Sequence, residues 1–323
     1  MTNGKMSLTA SVIKNFGNFF FLNIMKQWVA GASCEDVIAL VNNFKKNKHS
    51  DSIINYLGEH YIEKVVVDRT VEEYIHLIDA ISRDYNKNKI KPAISIKLSQ
   101  FGCNCKNCGK SAEAYCFKKV KEIVEHAKPH KIFIWIDMES SQITQFTIDV
   151  YNKILPTYQY LGLCLQANLK RSRQDLRDFI RLAKNGLSPK IRLVKGIYKE
   201  PVGIAYQTEE EMHKEFKKLI EIAFKESPKN FGIAVASHHA TRIKEALDLQ
   251  KIYKKDFFEI QFLKGVMTEF ADDLRKKGLN IVEYIPYGKD AFAYSVRRAM
   301  KNPKLKDSLL LKPFFDVYKK YYT

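Results

Sequence analysis

The sequence predicts a (β/α)8 barrel of TIM type, expected to be distorted, with an N-terminal helical arm. Three observations carry this prediction. Eight short apolar or β-branched runs begin at residues 52, 93, 131, 160, 191, 231, 257 and 281, between 24 and 41 residues apart, and amphipathic stretches fill the gaps. Such alternation forces parallel pairing through right-handed crossovers, and eight units close a barrel. The length of 323 residues suits one barrel with an added arm. An open doubly wound sheet is the competing architecture. It wants a Gly-rich phosphate loop after an early strand, and neither a GxGxxG run nor a Walker-type loop occurs.

The elements follow in order. Residues 1–50 read as the arm, with an apolar-periodic stretch over 16–29 and a second helix over 34–46 behind the Gly31-Ala32-Ser33 break. The 16–29 stretch contains Phe19-Phe20-Phe21 but is interrupted by Asn18, Asn23 and Lys26. It falls short of the roughly 20 residues of a membrane span, so it reads as a core helix or as an amphipathic helix on a lipid surface. Residues 51–323 form the barrel domain. Its strands are expected at 52–58, 93–99, 131–139, 160–168, 191–196, 231–237, 257–265 and 281–288. Helices are expected at 71–85, 115–126, 141–154, 173–184, 208–225, 241–253 and 269–277. A last helix over 291–302 has Asp290 placed to cap its start and Pro303 to end it.

A hydrophobic content of 46%, with 20 Phe and 17 Tyr, is enough for a large core, while 14 Gly and 9 Pro exclude a low-complexity chain. The net charge of +18 suits an anionic surface as partner. Its Lys-Lys pairs are scattered along the chain with no interleaved aromatic pattern, so they read equally as solvated helix faces, and no specific nucleic-acid partner is expected. With no signal peptide recognised, the expected location is the cytoplasm, with peripheral contact at the inner face of the membrane and reduced thiols.

In such barrels the reactive residues sit at the C-terminal ends of the strands. Those ends read Gly58-Glu59, Lys97, Asp137-Met138-Glu139, Gln166, Lys195-Gly196, Ser237-His238, Gln261 with Leu263, and Tyr284. They are far more polar than the strand bodies, and a charge ending an apolar strand inside a barrel must be paired or functional, because burying it alone costs several kcal/mol. On the last helix Tyr294, Arg297, Arg298 and Lys301 share a face, and adjacent guanidinium groups make a clamp for a carboxylate or phosphate.

At these residues the sequence resembles the FAD-dependent proline dehydrogenase family, single-function type. The matching segments are Leu57-Gly58-Glu59, 95–99, 136–139, 165–167, 192–198, Ser237-His238, 258–263, 284–288 and Tyr294 with Arg297-Arg298, in order on all eight strands and beyond. The resemblance implies oxidation of L-proline to Δ1-pyrroline-5-carboxylate by hydride transfer to the flavin N5 of FAD, in proline catabolism, with electrons passed to a quinone. It gives Asp137 and Arg192 as catalytic. It gives Lys97, Arg297 and Arg298 to the substrate carboxylate, and Tyr284, Tyr198 and Leu263 to the small pocket around the ring. Glu59 matches a gate that pairs with the second arginine. FAD contacts carry over to Met138, Gln166, Lys195, Gly196, Ile197, Ser237 and His238. The chain departs from the family pattern at Asn168, where a Tyr is usual, at His239, at Lys301 and at 291–293. A flavin enzyme for a related secondary amine such as hydroxyproline, and an inactive basic barrel that binds nucleic acid or anionic membrane, are the alternative readings.

The loop after the second strand carries Cys103, Cys105, Cys108 and Cys116, a C-x-C-x2-C-x7-C spacing on the site face. Four thiolates so placed suit zinc or an iron–sulfur cluster. The spacing matches no standard zinc knuckle, and reduced thiols in a loop are the competing reading.

Overall fold

The computed structural model describes residues 24–48, 50–103, 111–302 and isolated positions between 305 and 319. Helix α1 (Cys34–Lys48) leads into eight strands: β1 (Asp51–Tyr56), β2 (Ala93–Ile96), β3 (Ile134–Ile136), β4 (Leu161–Gln166), β5 (Lys190–Val194), β6 (Gly232–Ala236), β7 (Phe258–Leu263) and β8 (Ile281–Tyr287). The helices that follow them in turn are α2 (Lys64–Asn88), α3 (Ala112–Ala127), α4 (Ser141–Ile154), α5 (Ser172–Lys184), α6 (Glu209–Lys225), α7 (Ala240–Tyr253), α8 (Thr268–Lys276) and α9 (Ala291–Lys301). All neighbouring strands are parallel and the barrel closes in sequence order, β8 pairing with β1 from Asp51↔Val282 to Tyr56↔Tyr287. The expected (β/α)8 barrel is the fold.

Two layers of packing result. Outward strand residues such as Ile54, Ile94, Ile96, Leu163, Ile233 and Ile260 join the inner faces of α1 to α8 in one large core. The barrel interior is separate and smaller. Ile53, Trp135, Ala234 and Val282 fill it, with Phe133, Phe257 and Tyr284 against them. Its floor is closed by Lys190, whose Nζ lies 5.9 and 5.7 Å from the Phe133 and Phe257 ring centroids. An aromatic, cation-capped floor leaves the C-terminal end as the open side.

The segment before α1 folds back over that end. Ile24, Met25, Trp28 and Val29 are buried against Leu57 and against Ala293, Val296 and Ala299 of α9. This described part of the 16–29 stretch is core; Phe19–Phe21 lie outside the described residues. Lys264 fixes the segment by donating to the carbonyls of Lys26 and, at 3.0 Å, Gln27. Gly265 permits the approach: its φ is +73°, and a Cβ there would stand 2.1 Å from the Gln27 oxygen.

Two boundaries differ from expectation. Helix α2 starts at Lys64, well before 71, because burial of Val67 and Val71 overrides the poor helix propensity of Val65-Val66-Val67. Asp290 does not cap α9 with its side chain: at φ −83°, ψ 11° its backbone lacks the extended form a cap requires, and its carboxylate accepts from the Tyr61 hydroxyl.

Candidate active site

Strand alternation brings Lys97, Asp137, Arg192 and Tyr284 together at the open end. Asp137, one residue past β3, is the hub. Its Oδ1 accepts from Ser95 Oγ at 2.7 Å and from Arg192; its Oδ2 accepts from Tyr284 Oη at 2.7 Å and faces Lys97 Nζ at 3.6 Å. Burial works against the charge of Asp137, but Arg192, Lys97 and the Ser95 and Tyr284 hydroxyls outweigh it, so its pKa lies below the ordinary value. Lys97 also donates to Asn55 Oδ1 at 3.1 Å. The Arg192 guanidinium lies over the Trp135 and Tyr284 rings, 5.0 and 5.5 Å from their centroids, and reaches Gln261 Oε1 at 3.4 Å. A carboxylate with four partners and an arginine between two rings are rigid, so this cluster is built before any ligand arrives.

The second half of the site comes from α9 and the β6–α7 turn. Tyr294 is held among protein atoms with the charges of Arg298 and Arg297 close by. Among the described residues neither arginine forms an ion pair, and Arg298 Nε is buried with no hydrogen-bond partner. His238 faces the same space. Desolvation first, then Arg298 and Lys195, lower its pKa to about 4, so the ring is neutral at pH 7, and its Nε2 accepts the Leu263 N–H at 3.4 Å. No hydrogen bond or ion pair among the described residues joins the Asp137 cluster to Arg297 or Arg298.

The remaining predicted residues distribute as follows. Tyr198 has Glu139, Glu59 and Asp137 as charged neighbours, which with burial raise its pKa. Gln166 is buried and donates to the Glu139 carbonyl at 2.6 Å; Met138 is buried beside it in the core. Lys195 is paired with Glu209 at 2.8 Å, and Ser237 Oγ accepts the His239 N–H at 3.1 Å. Gly196 has φ +94°, and a Cβ there would stand 2.0 Å from Asn168 Oδ1, which itself is buried without a partner. Ile197 is 80% exposed. Glu59 lies beyond the end of β1, exposed, and the expected pair with Arg298 is not formed among the described residues. Cys103 and Cys116 are buried free thiols, and burial raises the Cys103 pKa to about 12; Cys105 and Cys108 lie outside the described residues, and no metal-ligating group of three is found among the described ones.

Four residues of the site went unread in the sequence: Asn55, Ser95, Trp135 and Glu259. All point into the barrel, and period-two counting back from Lys97, Asp137 and Gln261 finds Ser95, Trp135 and Glu259.

Fold and site together define an α/β-barrel enzyme with a buried ion cluster and a free arginine pair at its mouth. The family model described as proline dehydrogenase matches residues 38–309, and the chain belongs to that family. It is 29% identical over 252 residues to proline dehydrogenase 2 of Bacillus subtilis (strain 168), covering 77% of each chain. It is 28% identical over 286 residues to the proline dehydrogenase of Deinococcus radiodurans, covering 87% of each. Among solved structures, proline utilization A from Bdellovibrio bacteriovorus, inactivated by N-propargylglycine, superposes with a TM-score of 0.80 at 20% identity. That match covers 96% of this chain and 35% of the other, so the present chain spans about a third of that protein, and the likeness is one of fold.

Proposed function

We propose that this enzyme oxidises L-proline to Δ1-pyrroline-5-carboxylate with FAD as its cofactor and a quinone as the final acceptor. The observation that carries the reading is the Asp137 cluster with Lys97, Arg192 and Tyr284 at the barrel mouth of a chain of this family. The residues present fit a flavin: Arg298 Nε and Asn168 Oδ1 are buried polar atoms without partners, and Ile197 offers an uncovered aliphatic side chain. Met138, Gln166, Lys195, Gly196, Ile197, Ser237 and His238 would hold it. When bound, FAD supplies the two-electron acceptor, taking the hydride at N5.

The chain's own residues do the rest. Lys97, Arg297 and Arg298 clamp the substrate carboxylate, and the two arginines bring donors that no protein acid consumes. Tyr284, held by its bond to Asp137, presents its ring face to the pyrrolidine ring, with Tyr198 and Leu263 completing the walls. Cations beside a poorly hydrated pocket disfavour the ammonium form of the amine, and the neutral amine is the one that can release hydride. Asp137 offsets one of the two charges of Lys97 and Arg192, so one positive charge is left to face the substrate carboxylate. A donor carbon held at near-attack distance gains much of its rate from that alignment.

The test is anaerobic addition of L-proline to the FAD-loaded protein. Loss of the oxidised flavin absorbance with formation of a cyclic imine supports the reading, and faster turnover with a quinone analogue than with NAD or oxygen supports the acceptor. A protein that takes up no flavin, or a flavin that proline leaves oxidised, overturns it; bleaching by hydroxyproline alone moves the substrate. A metal at Cys103, Cys105, Cys108 and Cys116 is a separate proposal, supported by about one zinc or several irons per chain and overturned by metal-free active protein.

A further inference from the structure

Glu259 is a carboxyl inside the barrel that none of these steps uses. It lies on β7 opposite Ala234, two residues before Gln261, so both side chains point inward. The Gln261 amide bridges two groups. Its Nε2 donates to Glu259 Oε2 at 2.8 Å, and its Oε1 accepts from Arg192 Nη1 at 3.4 Å. Arg192 then donates to Asp137. An amide has a donor end and an acceptor end that can exchange places, and its partners decide which way it lies. A guanidinium only donates, so it needs the carbonyl end; a carboxylate only accepts, so it needs the NH2 end. Glu259 and Arg192 together therefore leave one orientation in which every group is satisfied. Without Glu259, the NH2 end loses its anchor and only the longer Arg192 contact orients the amide.

We propose that Glu259 is a positioning residue for the reaction, setting the orientation of the Arg192 guanidinium through the Gln261 amide. The inference rests on the functional reading given above for the part Arg192 plays. The groups that act on Glu259 are Gln261 on its own strand, Asp51 from β1 and Arg192 from β5. Burial pushes its carboxyl up to about 7, with Gln261 opposing and Asp51 adding to the rise, so both forms are populated near neutral pH. The ionised form grips the Gln261 NH2 more firmly, since charge-assisted bonds are the stronger ones.

Two variants separate positioning from mere packing. Glu259→Gln keeps an acceptor oxygen for Gln261; Glu259→Leu supplies none. In the FAD-loaded enzyme E259L should lower kcat for proline oxidation about ten- to a hundredfold, the usual range for losing a hydrogen bond to a charged group, and E259Q should recover to within about threefold. A second readout needs neither cofactor nor turnover. The Arg192 side-chain N–H resonance of the cofactor-free protein, assigned by its loss in Arg192→Lys, should move in E259L, hold in E259Q, and shift with pH in the native protein as Glu259 titrates. An unmoved resonance in E259L overturns the proposal, and so does an E259Q enzyme as impaired as E259L. If E259L does not fold, the pH shift in the native protein and its absence in E259Q decide the matter, and a pH-independent native resonance overturns it. Native enzyme that turns over no proline, with the resonance responding as expected, defeats the functional reading and leaves the Glu259–Arg192 coupling standing.

Discussion

Arg192 shows what burial does to a single charge. Its side chain is 4% exposed, a site where an unpaired guanidinium is not tolerated, and Asp137 is the acid that balances it. Asp137→Ala should therefore destabilise the protein by about 3–5 kcal/mol at neutral pH, the range for breaking a buried pair from one side, as measured by urea unfolding. A loss below about 1 kcal/mol would show that water replaces the carboxylate at Arg192. The sign with pH follows from the lowered Asp137 pKa: the stabilisation is present above the ordinary value of 3.8 and is lost as pH falls through the lower folded value. The gap between native and variant should close in acid and stay open at pH 7. Arg297, by contrast, has no acidic partner among the described residues, so its removal should spare the fold. Arg297→Met should raise KM for proline about ten- to a hundredfold with FAD retained, and an unchanged KM would remove Arg297 from the clamp.

At the scale of elements, the mouth of the barrel is assembled from pieces that touch only after folding. The segment before α1 is held by three contacts: Lys264 on its carbonyls, Ala30 N–H to Pro286 O at 2.9 Å, and the buried face against α9. Because α9 carries Arg297 and Arg298, the same packing that buries Trp28 sets where the arginines stand. Gly265→Ala tests this link, since it brings a Cβ against the Gln27 carbonyl in a left-handed backbone that alanine resists. We expect a loss of about 1–3 kcal/mol, together with faster proteolysis before residue 31 and a raised KM for proline. Proteolysis at the native rate would mean that the segment does not depend on this approach.

The whole molecule combines a closed barrel with a net charge of +18. Among the described residues no helix is long and apolar enough to cross a membrane. A positive surface gains about 1 kcal/mol per Lys close to an anionic leaflet, so a few well-placed side chains suffice for reversible contact with the membrane where a quinone resides. Binding to anionic vesicles should be strong at low salt and weak at high salt, because surface charges are screened. Co-sedimentation with the full chain checks this, and no pelleting at low salt would defeat the membrane contact while leaving the enzyme assignment intact.

Strand order, parallel pairing and the position of the chemistry could all be read along the chain, because alternation of strand and helix leaves a barrel little topological freedom and polar residues at apolar strand ends stand out. Lys97, Asp137 and Tyr284 are legible for that reason, whereas Arg192, in the middle of β5, is singled out only by the family resemblance. Asn55, Trp135 and Glu259 are not legible. Parallel strands are buried on both faces, so their apolar runs are nearly continuous and do not announce which side points inward. Register across the barrel chose that side, and with it the Gln261 bridge from Glu259 to Arg192. Glu59 was misjudged for a related reason: β1 ends at Tyr56, so its last inward residue is Asn55, and Glu59 falls in the exposed loop. Asp290 was read as a cap from its place before α9, yet the nearby Tyr61 hydroxyl, 229 positions away in sequence by subtraction of 61 from 290, took its carboxylate instead. Local pattern specifies elements and their ends; partners that meet across the barrel depend on distances that exist only once the ring of strands has closed.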